Sequence, residues 1–422
     1  MLLVNQFFHP SSAAASQLLT DLARHLANTG TGVTIICGRS NYGIINPGEL
    51  SGVGIRHVPN LPFGHARFGR ILSYGSFYAG AVLLALAARR PDIVLTLTTP
   101  PLISLAGTLL KKLRGVPHFI WEMDVYPNIA VELGVLSPNS CLTRLIGALA
   151  DWSRRNADGV IVLGDDMKEI LIARGIQPNK IFVSENWADD VEITPLPFPD
   201  GSLNLLYSGN LGLAHDIETL QGAMLSCAAP DMTARIQFTF AGGGPRRESL
   251  EAFARTHGLV NVAFRDYCSR DKLAKSLAEG HVGVVTQQSG VIGSVVPSKL
   301  YGILAAGRPV IYVGPRATTC ARVIERFNCG WQIDPGDVRG LIAVLRHLDQ
   351  NREAVYAAGG RAREAFEQNY TREIGVRRIT QILTGQVRVK QRSDGVEPSA
   401  LDRRRDAVIN PDLVNHTPET GQ

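Results

Sequence analysis

Short apolar runs alternate along the chain with stretches in which leucine, isoleucine and alanine return every three or four residues. Residues 2–7 form the first run and predict a buried strand, followed by a polar loop, His9-Pro10-Ser11-Ser12. Leu18, Leu19, Leu22 and Leu26 then mark one face of a helix that Gly30 stops, and residues 33–37 give the next strand. The unit repeats as strand 93–97, helix 102–113 and strand 118–121, then as helix 142–155, strand 159–163, helix 167–174 and strand 181–183. Alternation of this kind predicts a parallel sheet with helices on both faces, and a ligand belongs at the carboxyl ends of its strands.

A stretch rich in Pro and Asp, residues 188–202, interrupts the pattern. The alternation restarts with strand 203–207, helix 217–227, strand 236–241, helix 249–257 and strand 262–264. Helix 272–279, strand 282–286, helix 298–306 and strand 309–313 follow. The expected fold class is α/β, with one doubly wound domain over residues 1–187, a linker over 188–202 and a second such domain over 203–385. Residues 386–422 mix Pro, Gly and balanced charge without apolar periodicity, which reads as a disordered tail.

Composition narrows the class. The 422 residues are 45% hydrophobic and 19% charged, enough to bury large cores, so a disordered, collagenous or disulfide-stapled chain is excluded. A net charge of +5 is too mild for an obligate nucleic-acid binder. The excess sits in residues 1–187, which carry 16 basic and 12 acidic side chains. The six cysteines are far apart, with no C-x-x-C pair, which indicates neither a zinc site nor a disulfide framework and points to a reducing compartment. Residues 1–8 are too short and lack the basic start of a signal peptide. Residues 71–88 are uncharged between Arg70 and Arg89-Arg90, at the lower limit for crossing a core about 30 Å thick. Ser73, Tyr74, Gly75, Ser76 and Gly80 dilute that run, and a helix buried against a sheet is the expected state.

Three loops of the second half share a design. Tyr207-Ser208-Gly209-Asn210-Leu211-Gly212 and Ala241-Gly242-Gly243-Gly244-Pro245-Arg246-Arg247 each lie between a strand and a helix, and Val296-Pro297-Ser298-Lys299 opens a third helix. Small residues let backbone N–H groups approach an anion, while Arg or Lys adds the countercharge, so together these loops describe a diphosphate cradle. No G-x-G-x-x-G fingerprint occurs at the first turn, nor a P-loop, nor a D-x-D carboxylate pair, and no metal is implied. In the first half, Glu122 and Asp124 lie just past a strand, where either carboxylate suits orienting or deprotonating an acceptor hydroxyl; a turn cap or an ion pair is the alternative for Asp124. His9, on the first loop, suits contact with an acceptor or a phosphate, or has no role. His118 reads as a satisfied core histidine and Trp187 as packing.

The segments FFHPSSAAASQLLTDLARHLA, PDIVLTLTTPPL, EMDVYPNIAVELGVL, ADGVIVLGDDMKEIL, SENWAD, LLYSGNLGLAHDIETL, FAGGGPRRESLE and VPSKLYGILAAGRPVI resemble, in order and spacing, the family 4 glycosyltransferases. The likeness spans residues 2–385 and is greatest to the bacterial branch that builds exopolysaccharide, O-antigen and colanic-acid-type repeat units. It implies two Rossmann-like domains facing a cleft, the GT-B architecture, with the sugar nucleotide held by the second domain. It also implies transfer with retention of anomeric configuration and without metal or cofactor. Gly209, Asn210, Gly212, Arg246, Ser298 and Lys299 would then line the donor pocket, with Leu300 and Tyr301 starting the helix beside the nucleoside. Catalytic roles would fall to Asp124, Glu122 and His9.

The chain also departs from that family. Many members carry an Arg and a Lys where Asn210 and His215 stand, and a Glu pair, E-x7-E, where Ser294 and Gly302 stand. Donor identity is therefore open. The implied donor is a nucleoside-diphosphate sugar, UDP by the habit of the branch, and the implied acceptor is a polyprenyl-diphosphate-linked saccharide. A cytoplasmic enzyme, peripheral on the inner membrane face, would use Arg67, Arg70, Arg89, Arg90, Lys111, Lys112 and Arg114 toward anionic lipid. A sugar-nucleotide epimerase shares the twin-domain architecture but not the SENWAD and P-S-K segments. A non-catalytic nucleotide-sugar-binding partner of a polysaccharide assembly complex is the alternative that the missing Glu pair motivates.

Overall fold

The computed structural model describes residues 1–11, 13–38, 50–58, 67–233 and 235–393. Its first sheet holds β1 (Leu2–Val4), β2 (Val33–Gly38), β3 (Val53–Val58), β4 (Val94–Thr96), β5 (His118–Trp121), β6 (Gly159–Val162) and β7 (Ile181–Val183), in the order β3-β2-β1-β4-β5-β6-β7. Its second sheet holds β8 (Leu203–Ser208), β9 (Ile236–Ala241), β10 (Val262–Arg265), β11 (Val282–Thr286), β12 (Val310–Val313) and β13 (Gly330–Ile333), in the order β10-β9-β8-β11-β12-β13. Neighbouring strands run parallel, as between β1 and β4 and between β8 and β11. Both orders are doubly wound and reverse beside the first strand of the sheet, between β1 and β4 and between β8 and β11. In such sheets that reversal is where a ligand sits.

The residues explain the strands. β4, β5, β6, β11 and β12 are buried along their whole length, as parallel strands covered on both faces must be. Leu2, Val4, Ile36, Val94, Phe77, Ala81 and Leu110 pack into one core, and Leu205, Tyr207, Phe238, Val284, Ile311, Leu341 and Leu345 into another.

Contacts divide the described residues into two compact units, one within Met1–Trp121, Trp152–Ile161 and Val376–Ser393, the other within Glu122–Asp151 and Val162–Gly375. Within the second unit, the stretch expected as a linker is fixed rather than loose. Arg308 donates to the carbonyls of Leu196 and Pro197 at 3.0 and 2.9 Å and stacks over Phe198. Asp189 accepts from the Val191 and Glu192 amides and from Arg270 and Arg372.

Several expectations shift. The first strand stops at Val4 rather than at residue 7, where the Asn5 side chain donates to the Phe7 carbonyl at 2.7 Å and turns the chain. β3 escapes periodicity because VGIRHV is mostly exposed, with the Gly, Arg and His that an edge strand tolerates. Helix Arg352–Asn369 has no leucine stripe; it buries Val355, Ala358, Gly359, Ala362, Ala365 and Phe366, mostly small residues. Helix Arg372–Ser393 runs into the segment expected to be disordered, and residues 394–422 of that expected tail lie outside the described residues. Helix Arg67–Ala87 buries Phe77, Ala81 and Ala85, and among the described residues no helix is long and apolar enough to cross a membrane.

Candidate functional site

At the reversal of the second sheet, two glycine loops lie backbone against backbone. Gly209 follows β8 with φ +124°, and its N–H donates to the Ala241 carbonyl at 2.8 Å. Gly242 follows β9 with φ +132°, and a Cβ there would overlap the Gly209 carbonyl. A Cβ on Gly244 would lie 2.6 Å from Asn210 Oδ1 and from the Leu211 backbone. Only glycine fits such an approach. The Leu211 N–H donates to Gly243 O at 2.7 Å and the Arg246 N–H to Leu211 O at 3.2 Å, which locks the pair. A small hollow of about 10 Å³ lies behind it, lined by Tyr207, Gly209, Phe240, Gly242, Arg247 and Phe264.

The third loop brings a cation to this place. Lys299 starts helix Lys299–Ala305, and a Cβ on Gly209 would sit 2.9 Å from its Cε. Its Nζ lies 3.1 Å from His215 Nε2 and 5.1 Å from the centre of the Tyr207 ring. His215 Nδ1 is 2.7 Å from the carbonyl of Thr286, the last residue of β11. A carbonyl only accepts, so Nδ1 carries the imidazole proton and Nε2 is the acceptor for the Lys299 ammonium. Burial, then the Lys299 charge, hold His215 down to about 3, so the ring is neutral. Burial also lowers Lys299, to about 8. No carboxylate pairs with Lys299 among the described ion pairs, whereas Arg246 pairs with the exposed Glu218 at 2.8 Å. A cation with no anion of its own, beside backbone bared by glycine, is built to receive one.

The other expected residues fall as follows. Asn210 is exposed, its carbonyl accepting from the Tyr207 hydroxyl at 2.8 Å. Gly212 carries its turn without a left-handed φ and accepts from the His215 N–H at 3.3 Å. Ser298 caps the helix start without a side-chain hydrogen bond. Leu300 and Tyr301 are fully buried, so their side chains face the core rather than the cradle, with Tyr301 against Tyr370 at 5.1 Å. Arg247 is structural, donating to the Gly242 carbonyl, to Glu251 and to Asp266.

Asp124 and Glu122 belong to the same unit. The backbone of Asp124 bridges to Val295, and the Val125 N–H donates to the Ser294 carbonyl at 2.9 Å. That places the backbone of Asp124 beside the segment leading into Ser298-Lys299. Burial, then the Glu122 charge, push Asp124 up to about 6, while Glu122 is 2% exposed. His9 lies in the other unit, past β1. His118 is buried between Thr96 and Thr108, as a core histidine, and Trp187 packs on Gly375. Sequence reasoning placed His215 only as a departure and Tyr207 only as the start of a loop, and missed Thr286. Nothing in the spacing announces a contact across 84 residues. Among the described residues, no group of three or more His, Cys, Asp or Glu is placed to hold a metal ion.

Comparisons with known proteins bear on the family and the fold. Residues 14–187 match the Glycosyl transferase 4-like domain, and residues 203–351 match Glycosyl transferases group 1. The chain is 29% identical over 337 residues to the probable glycosyltransferase WbjE of Pseudomonas aeruginosa, covering 75% of this chain and 82% of the relative. It is 27% identical over 308 residues to the putative colanic acid biosynthesis glycosyl transferase WcaI of Escherichia coli, covering 69% and 74%. Among solved structures, HepE of Anabaena in complex with UDP-glucose matches in fold with a TM-score of 0.68 at 14% identity, over 91% of this chain and 99% of that one. The chain belongs to the glycosyltransferases that join a 4-like domain to a group 1 domain in the GT-B fold.

Proposed function

We propose that this glycosyltransferase moves a hexosyl or N-acetylhexosaminyl group, with retention of configuration, from a UDP-sugar to a polyprenyl-diphosphate-linked saccharide. The assembly would be that of a bacterial exopolysaccharide or O-antigen. The observation that carries the reading is the Lys299 ammonium, lying against Gly209 at the reversal between β8 and β11 with no carboxylate paired to it among the described residues. As the glycosidic bond breaks, the leaving diphosphate gains charge, and a fixed cation then stabilises the transition state more than the ground state. Arg246 would add a second charge by exchanging Glu218 for phosphate. Asp124, with a raised carboxyl, suits orienting an acceptor hydroxyl or taking its proton above about pH 6. The colanic acid setting of WcaI supports the polysaccharide role, and the UDP-glucose bound by HepE supports the donor class. The reading includes no cofactor and no metal.

A cytoplasmic membrane surface fits the first unit, on fewer residues than sequence alone offers. Lys111 is committed to Asp158 at 2.8 Å, and Arg114 to the carbonyls of Leu86 and Ala88. Arg89, Arg90 and Lys112 remain exposed, near Leu83 and Leu113, which are 67% and 62% exposed. The side chains of Arg67 and Arg70 lie outside the described residues. Each exposed cation near anionic lipid contributes about 1 kcal/mol.

The test is a thermal-shift panel of UDP-, GDP-, ADP- and dTDP-sugars with and without EDTA, followed by transfer to a polyprenyl-diphosphate saccharide. A ligand at 100 times its Kd stabilises the fold by about 2.7 kcal/mol. The expected result is a shift for UDP-sugars that survives EDTA, with product formed. A shift without transfer would favour the non-catalytic binding partner, which the Ser294 and Gly302 positions motivate; no shift for any nucleotide would overturn the donor assignment.

A further inference from the structure

The imidazole of His215 has a fixed job in this cradle that is separate from contact with substrate. Its Nδ1–H is committed to the Thr286 carbonyl at 2.7 Å, and its edge meets the Tyr207 ring at 5.7 Å between centres. Held on two sides, it presents one lone pair, on Nε2, to Lys299 Nζ at 3.1 Å. An acceptor without charge orients an ammonium yet does not neutralise it, as a carboxylate would. Gly209 leaves the room the lysine stem occupies.

We propose that His215 is a positioning residue that parks the Lys299 ammonium as a neutral acceptor until a nucleoside diphosphate takes it over. The inference rests on the donor reading of the preceding subsection. The groups around the pair leave the titration to Lys299. Tyr207, on β8, is held protonated by burial, and Cys320, on helix Thr319–Phe327, is held as a thiol by burial with Asp166 and Glu185 nearby. Arg246, from the loop after β9, adds positive charge toward His215 and is itself answered by Glu218. With Lys299 lowered to about 8 in the empty site, diphosphate binding restores the charged form. The sign follows: the free protein binds fewer protons than the complex as pH rises past 8, so affinity falls with pH there, toward tenfold per unit.

The experiment is titration calorimetry of UDP into the full chain at pH 7 and pH 9, in buffers of different ionisation enthalpy. The variants are His215→Leu, His215→Gln, Lys299→Met and the double variant His215→Leu/Lys299→Met. The expected wild-type result is near one proton taken up at pH 9, little at pH 7, and an alkaline loss of affinity. His215→Leu should weaken UDP by about tenfold, with Gln, whose amide oxygen also accepts, recovering most of that. In the Lys299→Met background, which should show no proton uptake, adding His215→Leu should change nothing further. Absence of UDP binding to the wild type would sink the donor reading itself. A His215→Leu effect that persists without Lys299 would overturn the positioning role alone, and binding with no proton uptake at pH 9 would overturn the alkaline linkage to Lys299.

Discussion

The two sheets reverse their strand order in the same way, yet the chemistry at the two reversals is opposite. Beside β8 and β11, side chains are removed by glycine and one unpaired cation is brought in, so that what is offered is N–H and positive charge. Beside β1 and β4, the chain offers buried amides. Asn5 is fully buried and Gln6 is 3% exposed, and among the described residues Asn5 Oδ1 and Gln6 Oε1 have no hydrogen-bond partner. Buried acceptors of this kind suit donated hydroxyl groups, whereas the second reversal suits an anion. Topology fixes where a ligand goes; the residues at the strand ends decide what it is.

The comparison can be broken in three places. Lys299→Ala should have the largest effect, at least a hundredfold loss in kcat/KM for the nucleotide sugar, about 2.7 kcal/mol, with a melting temperature within a few degrees of wild type. Wild-type turnover would mean that the second reversal is not where the diphosphate sits. Gly242→Ala should cost about 2–3 kcal/mol in urea unfolding, because φ +132° and the Gly209 carbonyl both refuse a Cβ; an unchanged midpoint would show that the loops are not locked together. The smallest effect is expected at the first reversal, where His9→Ala should raise the acceptor KM about threefold and leave the donor KM alone. A donor effect there instead would erase the division of labour.

Much of this layout is legible in the chain. Glycine, Lys299 and the alternation of strand and helix announce two doubly wound sheets and an anion cradle, because each is a local signal of period or backbone freedom. The rest depends on packing. That Arg246 faces Glu218, that Lys111 is spent on Asp158, and that Leu300 and Tyr301 turn inward follow from which face of a helix meets a core. The His215 contact with Lys299 is invisible for the same reason: the two meet only once β8 and β11 lie side by side.

The backbone contact between Gly209 and Gly242 carries a consequence for how such an enzyme changes over generations. Two loops that touch without side chains have no room in which to record a preference, so drift at either is purged as misfolding before it alters what is bound. Variation is left to the residues that look onto the loops from elsewhere, such as His215 and Tyr267, whose ring would lie 3.0 Å from a Cβ on Gly243. A lineage that switches nucleotide or sugar should therefore do so at these positions, with the glycines silent throughout.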